Sequence, residues 1–268
     1  MSLPPRLTIG LALFAAGLVL LPVALLLVRR IYPGRNPYFL RYGFAKAVVA
    51  FLLYAGVPAL GGALLPEFAL RAPLLSLAGG LAAFGYAAAV CRRMQPEGWR
   101  ALGFHAGGHP RAFGAAGAAL LFALPAILGA GELTRGLLEL YGHALQPQPL
   151  LLGLLELLEQ GGPRALAALL LAVLALPLLE EIFFRGFLQP LCTQNFGDRG
   201  GLVVTSLLFT VLHQPADVWP GLFVLSMVCG GVMLRTQRVL AAWAVHALWN
   251  GGVLAVLLYC PEARQWLL

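Results

Sequence analysis

The stretch ALAALLLAVLALPLLEEIFFR, residues 165–185, decides the fold. From Ala165 to Leu179 it carries no charge, and the apolar character resumes beyond Arg185 as far as Gln189. A run of this kind, residues 165–189, reaches the length of about 20 mostly apolar residues that a helix needs to cross a bilayer core. Yet it also holds Glu180, Glu181 and Arg185. Ionisable groups near the bilayer centre cost about 2.5–3.5 kcal/mol each on insertion scales, so their presence demands a reason.

The rest of the chain agrees with the first half of that reading. Of 268 residues 60% are apolar and only 11% charged, and the mean hydropathy is +0.84. A soluble domain carries roughly 25% charged residues, so a soluble enzyme, a disordered tail and a disulfide-rich secreted scaffold are all poor readings. The apolar runs predict an all-α, polytopic membrane protein with about eight transmembrane helices, near 7–28, 44–65, 73–90, 112–130, 165–189, 201–213, 222–234 and 240–259. The sixth and seventh are short and need shielding by neighbours or extension into flanking turns. The first resembles a signal peptide, but its apolar run is too long and no small-residue cleavage site follows, so it is expected to stay. Residues 1–130 thus hold about four spans. Residues 131–164 form a connection with a possible interfacial helix, and 165–259 hold the last four spans.

The net charge of +7 is a matter of orientation, not of nucleic acid, because no aromatic-interleaved basic face accompanies it. Arg29, Arg30, Arg35 and Arg41 lie in the first connection; Arg92, Arg93, Arg100 and Arg111 lie in the third. Arg199 lies in the fifth, and Arg235 and Arg238 in the seventh. These odd loops are expected to face the cytoplasm and both termini the outside. Cys91, Cys192, Cys229 and Cys260 show no paired or metal-binding spacing.

Polar residues divide the chain unevenly. The first four spans contain almost none, and Lys46 sits at an end where it can snorkel. The last four contain Glu180, Glu181, Arg185, His213, His246 and Asn250. Three patterns stand out: Glu180-Glu181…Arg185, Phe209…His213 and His246…Asn250. The pairs Glu181/Arg185, Phe209/His213 and His246/Asn250 are each four residues apart, one turn along one helix face. By helical rise, Glu180 lies about 15 Å from the break at Pro190, His213 about 18 Å from Gly201 and His246 about 10 Å from Val239. Similar depths predict that three helices bring carboxylate and imidazoles to one cavity.

Such a set contains the parts of non-covalent amide hydrolysis. One glutamate neutralised by Arg185 leaves the other beside a like charge with little water, the setting that makes a carboxylate a general base. His213 can share that role or polarise the same water. His246 and Asn250 offer N–H donors for an oxyanion. Competing chemistries fit less well: there is no HExxH zinc motif, and the only aspartates, Asp198 and Asp217, lie in predicted loops, where they cannot form an intramembrane aspartyl dyad. Ser206 and Ser226 lack a nucleophile context. A metal on Glu180, His213 and His246 remains possible in principle, but no metal or other cofactor is expected.

The three patterns resemble the CPBP family, the CAAX-protease and bacteriocin-processing intramembrane endopeptidases also called the Abi family. EExxxR matches Glu180-Glu181…Arg185, FxxxH matches Phe209…His213, and HxxxN matches His246…Asn250, in order and spacing. The resemblance covers roughly 165–259, and the first four spans match only as generic apolar helices. It implies an eight-helix fold and a glutamate-dependent peptidase without metal. Glu180 and His213 would activate water, His246 and Asn250 would form the oxyanion site, and Glu181 and Arg185, with Phe209, would shape the pocket. The choice of Glu180 over Glu181 as base comes from the resemblance. Relatives cleave prenylated CAAX proteins, mature bacteriocins or confer self-immunity, or clip C-terminal sorting tails. The resemblance therefore implies a peptide, lipoprotein or membrane-anchored protein as substrate, and a chain integral to the plasma membrane, the inner membrane of a bacterium.

Blander readings stand beside these. Glu181–Arg185 can be a structural ion pair, Asn250 interhelical glue, and Phe209 and Phe183–Phe184 plain packing. His105, His109 and His143 lie in loops and carry no role; the pairs Gly230-Gly231 and Gly251-Gly252 read as close helix contacts. The functional alternative is a non-proteolytic scaffold or bacteriocin-immunity protein, or a proton-coupled transporter, although a transporter would show inverted repeats in both halves.

Overall fold

The computed structural model of the chain describes residues 4–31, 40–67, 70–143, 145, 149–213, 215–260 and 262. Arg35, expected in the first basic loop, lies outside them. Among the described residues ten α-helices run in order: α1 (Pro5–Ile31), α2 (Phe44–Leu64), α3 (Arg71–Met94), α4 (His109–Leu140), α5 (Pro149–Gln160), α6 (Gly162–Leu170), α7 (Leu176–Glu181), α8 (Gln189–Val211), α9 (Trp219–Thr236) and α10 (Val239–Tyr259). Two wider π turns, Leu171–Ala175 and Ile182–Leu188, join α6, α7 and α8. No strand occurs among the described residues. With no water in the hydrocarbon to satisfy the backbone, helices are the expected solution.

Among the described residues seven stretches are long and apolar enough to cross a membrane, and one of them, Gly162–Val211, has 50 residues. At 1.5 Å per residue an unbroken helix of that length would extend about 75 Å, more than twice the hydrocarbon thickness. It is broken at Gly197, whose φ of 70° and ψ of 171° no ordinary helical residue adopts. The chain doubles back there, and a Cβ on Gly201 would come within 2.3 Å of the Thr193 nitrogen. The long stretch is therefore two spans, and the protein is an all-α polytopic membrane protein of roughly eight. The seventh expected span gains length as foreseen: a 3₁₀ turn at Ala216–Val218 leads into α9, giving an apolar stretch of 21 residues, Ala216–Thr236.

The connection at 131–164 is more ordered than its composition suggests. Helix α4 runs on to Leu140, because the acids there find partners. Arg6, at the start of α1, pairs with Glu132 at 3.2 Å and with Glu139 at 2.9 Å, and Arg135 pairs with Glu132 at 3.2 Å. Helix α5 is amphipathic, burying Leu155 against Leu254 and Leu257 of α10 with Glu156 and Glu159 exposed.

Small residues set the helix contacts. Cβ atoms added at Gly10, Gly17, Gly129 and Gly136 would lie within 2.6 Å of Leu133, Ala126, Phe14 and Leu7 respectively. All four contacts obey one antiparallel register, in which facing residue numbers sum to 143. The glycines repeat every seven positions on each helix, so α1 and α4 touch backbone to backbone along their length, as close packing in lipid requires. Large apolar side chains such as Leu18, Val19, Leu121, Leu207 and Leu248 point outward instead. Gly129→Leu is expected to force α1 off α4, costing about 1–3 kcal/mol as overpacked sites do. The check is a lowered thermal midpoint of the detergent-solubilised protein.

The remaining helices enclose the 176–188 segment. It touches α2, α3, α8, α9 and α10. Phe183, Phe184, Phe187 and Phe209 are buried around it.

Candidate active site

Position within the bundle begins with the backbone of the fifth span. In the first π turn the Leu176 N–H bonds to the Leu171 carbonyl five residues back. The next link in that ladder would join residue 177 to Ala172, but residue 177 is proline and has no N–H. The orphaned Ala172 carbonyl accepts a hydrogen bond from Asn250 Nδ2 at 3.0 Å. Nearby, Trp243 Nε1 donates to the Leu174 carbonyl at 2.9 Å. Helix α10 thus grips the distorted turn that leads directly into Glu180 and Glu181.

Beyond that grip the charges gather. Glu181 is fully buried, and its Oε2 lies 3.1 Å from Arg185 Nε, as the four-residue spacing predicts. Its other oxygen, Oε1, lies 3.0 Å from His246 Nδ1. Arg185, also buried, donates through Nη2 to Ser226 Oγ at 2.9 Å and to the Ser226 carbonyl at 3.2 Å. Its guanidinium stands 4.7 Å from the Phe209 ring centre, within cation–π range. Ser226 therefore serves as a polar support for Arg185.

Glu180 differs from its neighbour. Its side chain keeps 19% exposure, against none for Glu181, so water can meet only the first of the two acids. Its Oε2 lies 3.8 Å from His246 Nε2. His246 is buried, with one ring nitrogen toward each glutamate. From α2, the Tyr54 ring stacks on Phe183 at 5.0 Å and meets Phe184 edge-on at 5.7 Å.

His213 follows the last turn of α8. Its ring packs on Phe209 at 4.5 Å between centres, and Phe209 in turn meets the His246 ring edge-on at 5.7 Å. Nδ1 lies 2.8 Å from the Phe209 carbonyl, and a carbonyl can only accept, so the proton sits on Nδ1. In the neutral ring this leaves the lone pair on Nε2. Trp219 Nε1 donates to the His213 carbonyl and ties the following loop down. Asn250, expected beside His246 as a donor, has its amide directed to Ala172.

Five of the residues singled out in the sequence (Glu180, Glu181, Arg185, Phe209 and His246) therefore form one contiguous cluster. His213 joins it through Phe209. Asn250 adjoins it through the π turn. Ser226 is the member that spacing did not reveal as a partner, and the Tyr54 ring stacks beside the cluster on Phe183. Of the twelve buried polar residues described, ten lie between Glu181 and His246, so the uneven distribution seen in the sequence is carried into the interior. No group of three or more His, Cys, Asp or Glu side chains among the described residues is placed to share a metal ion.

Helices, lipid-facing apolar surface and a buried acid–imidazole–guanidinium cluster define a multi-pass membrane protein with ionisable groups in its interior. Residues 162–252 match the family described as type II CAAX prenyl endopeptidase Rce1-like. The match takes in all three motifs, leaves α1–α5 outside, and is consistent with the CPBP/CAAX-protease family. It supports an intramembrane endopeptidase acting on a membrane-associated protein or peptide. No curated protein and no solved structure matches the chain.

Proposed function

We propose that the chain hydrolyses a peptide bond within a membrane-associated peptide, lipoprotein or anchored protein, with Glu180 and His213 activating the water. The observation that carries this reading is the exposure of Glu180 beside His246, next to a Glu181 that is sealed and already paired. Two carboxylates and one guanidinium leave the cluster one positive charge short of neutrality. His246 lies between the two acids, 3.0 Å from Glu181 and 3.8 Å from Glu180, with one ring nitrogen toward each.

Glu180, with the free Nε2 of His213 assisting, takes a proton from water as the oxygen adds to the scissile carbonyl. His246, held by Glu181 through Nδ1, presents Nε2–H to the developing oxyanion. The amide of Asn250 has a second N–H beyond the one given to Ala172, available for the same purpose. Collapse of the tetrahedral intermediate breaks the C–N bond, and the proton held by Glu180 passes to the leaving amine. The positive-inside pattern puts Glu180 toward the cytoplasmic half of a plasma membrane, the inner membrane in a bacterium.

The test compares membrane proteins and peptides in cells carrying the wild-type chain or Glu180→Gln. Uncut precursors are expected to accumulate with the variant and to reveal the substrate. Identical profiles would favour a scaffold or immunity role. Activity is also expected to survive strong chelation; loss that added zinc restores would move the chemistry to a metal.

A further inference from the structure

We propose that Gln189 is a positioning residue for His246: together with Ser226 it clamps the fifth span to α9, fixing Arg185, which holds Glu181 against the imidazole. This rests on the reading of His246 as the oxyanion donor. The need for a clamp starts in the backbone. In the second π turn the Gln189 N–H bonds to the Phe184 carbonyl, five residues back instead of four. The next link in that register would come from residue 190, a proline without an N–H. Neither residue 189 nor residue 190 therefore closes a turn onto the Arg185 carbonyl. The stretch that carries the guanidinium lacks the backbone support of an ordinary helix.

Side chains supply that support. Arg185 donates through Nη2 to the Ser226 carbonyl at 3.2 Å, and Gln189 donates through Nε2 to the Gly230 carbonyl at 3.0 Å. Residues 185 and 189 are four apart, as are residues 226 and 230. The contacts are thus two rungs, one helical turn apart, between the same two spans. Arg185 and Gln189 are each only 1% exposed, and Ser226 is fully buried. Gly230 lets the second rung close, because a Cβ there would lie 2.8 Å from Gln189 Oε1 and collide with Leu202.

Stability alone does not explain a glutamine at this position. Its buried Oε1 has no hydrogen-bond partner among the described residues, and such an oxygen works against folding. The Gly230 carbonyl lies within α9, where the helical ladder already supplies a donor. What Gln189 adds is register. From Arg185 Nε the contacts run 3.1 Å to Glu181 Oε2 and, from Oε1, 3.0 Å to His246 Nδ1. A slip of the fifth span along α9 would draw this chain away from the imidazole, and a misplacement of about 1 Å can lower a rate by about a hundredfold.

The experiment uses the full chain in detergent with Gln189→Met, which keeps the length of the side chain and removes both the donor and the orphaned oxygen. Nitrogen-15 spectra of histidine-labelled protein would identify the His246 ring signals by their loss in His246→Gln. Gln189→Met is expected to shift the His246 Nδ1 signal while the thermal midpoint stays level or rises, a combination that loosened packing would not give. With the precursor that accumulates in Glu180→Gln cells as substrate, kcat is expected to fall by about tenfold and KM to stay within about twofold. A His246 signal that does not move, or one that moves with kcat unchanged, overturns the proposal. A wild-type chain that cuts no such precursor would count against the hydrolytic reading, while the His246 signal still decides whether Gln189 positions the ring.

Discussion

Glu180→Gln is expected to lower turnover by about a thousandfold or more while leaving the protein folded and inserted, since a positioned base contributes roughly 10²–10⁴. The substitution keeps the shape of the side chain and removes only its capacity to take a proton. Folding should tolerate it because the structural ion pair belongs to Glu181, 3.1 Å from Arg185, while Glu180 retains access to water. On the proposed mechanism His213→Ala should give a comparable loss, because it removes the imidazole that assists Glu180. The measurement is cleavage of the precursor that accumulates in cells, by purified wild-type and variant proteins, alongside their thermal midpoints. Turnover by Glu180→Gln within tenfold of wild type would show that another group takes the proton. Full biological activity of both variants would support a non-proteolytic role.

The second large effect is on stability. Arg185→Met should leave Glu181 buried with no cation within reach, a situation that costs about 3–5 kcal/mol when one partner of an interior ion pair is removed. Ser226 would lose its donor as well, and the Phe209 ring its guanidinium. Little folded protein is expected from the single variant by size-exclusion chromatography in detergent. The double variant Glu181→Gln/Arg185→Met should recover much of the yield, because it removes the stranded charge along with its partner. A double variant no better than the single would indicate that the ion pair contributes through packing alone.

How far the sequence carried the reading depends on which forces leave a local trace. Apolar runs are local, so the spans were legible, including the two that a single 50-residue helical stretch conceals. Gly197 marks that fold-back, and the expected boundary between 165–189 and 201–213 already bracketed it. The pairs four residues apart were legible too: Glu181 does face Arg185, and Phe209 does contact His213. Contacts between distant segments left no such trace. Tyr54 sits among apolar residues like any aromatic of a span, and only the packing of α2 on the Ile182–Leu188 turn brings its ring onto Phe183 and Phe184. Asn250 was read by its spacing from His246, whereas its hydrogen bond answers a missing N–H at Pro177, a fault of helical geometry that depends on the π turn. The order in 131–140 was hidden for a similar reason. Acids near the end of a span look like a loop until Arg6, far away in the chain, is known to meet them.

The glycine-lined contact between α1 and α4 also governs the order of assembly. Its register pairs Leu7 with Gly136 and Gly17 with Ala126, so α1 is matched to a helix made more than a hundred residues later. During synthesis α1 must wait in the bilayer, its glycines facing lipid, while α2 and α3 insert as a hairpin. Docking of α4 then completes an amino-terminal platform, against which the last four spans close and bring their charges together only after the surroundings that shield them exist.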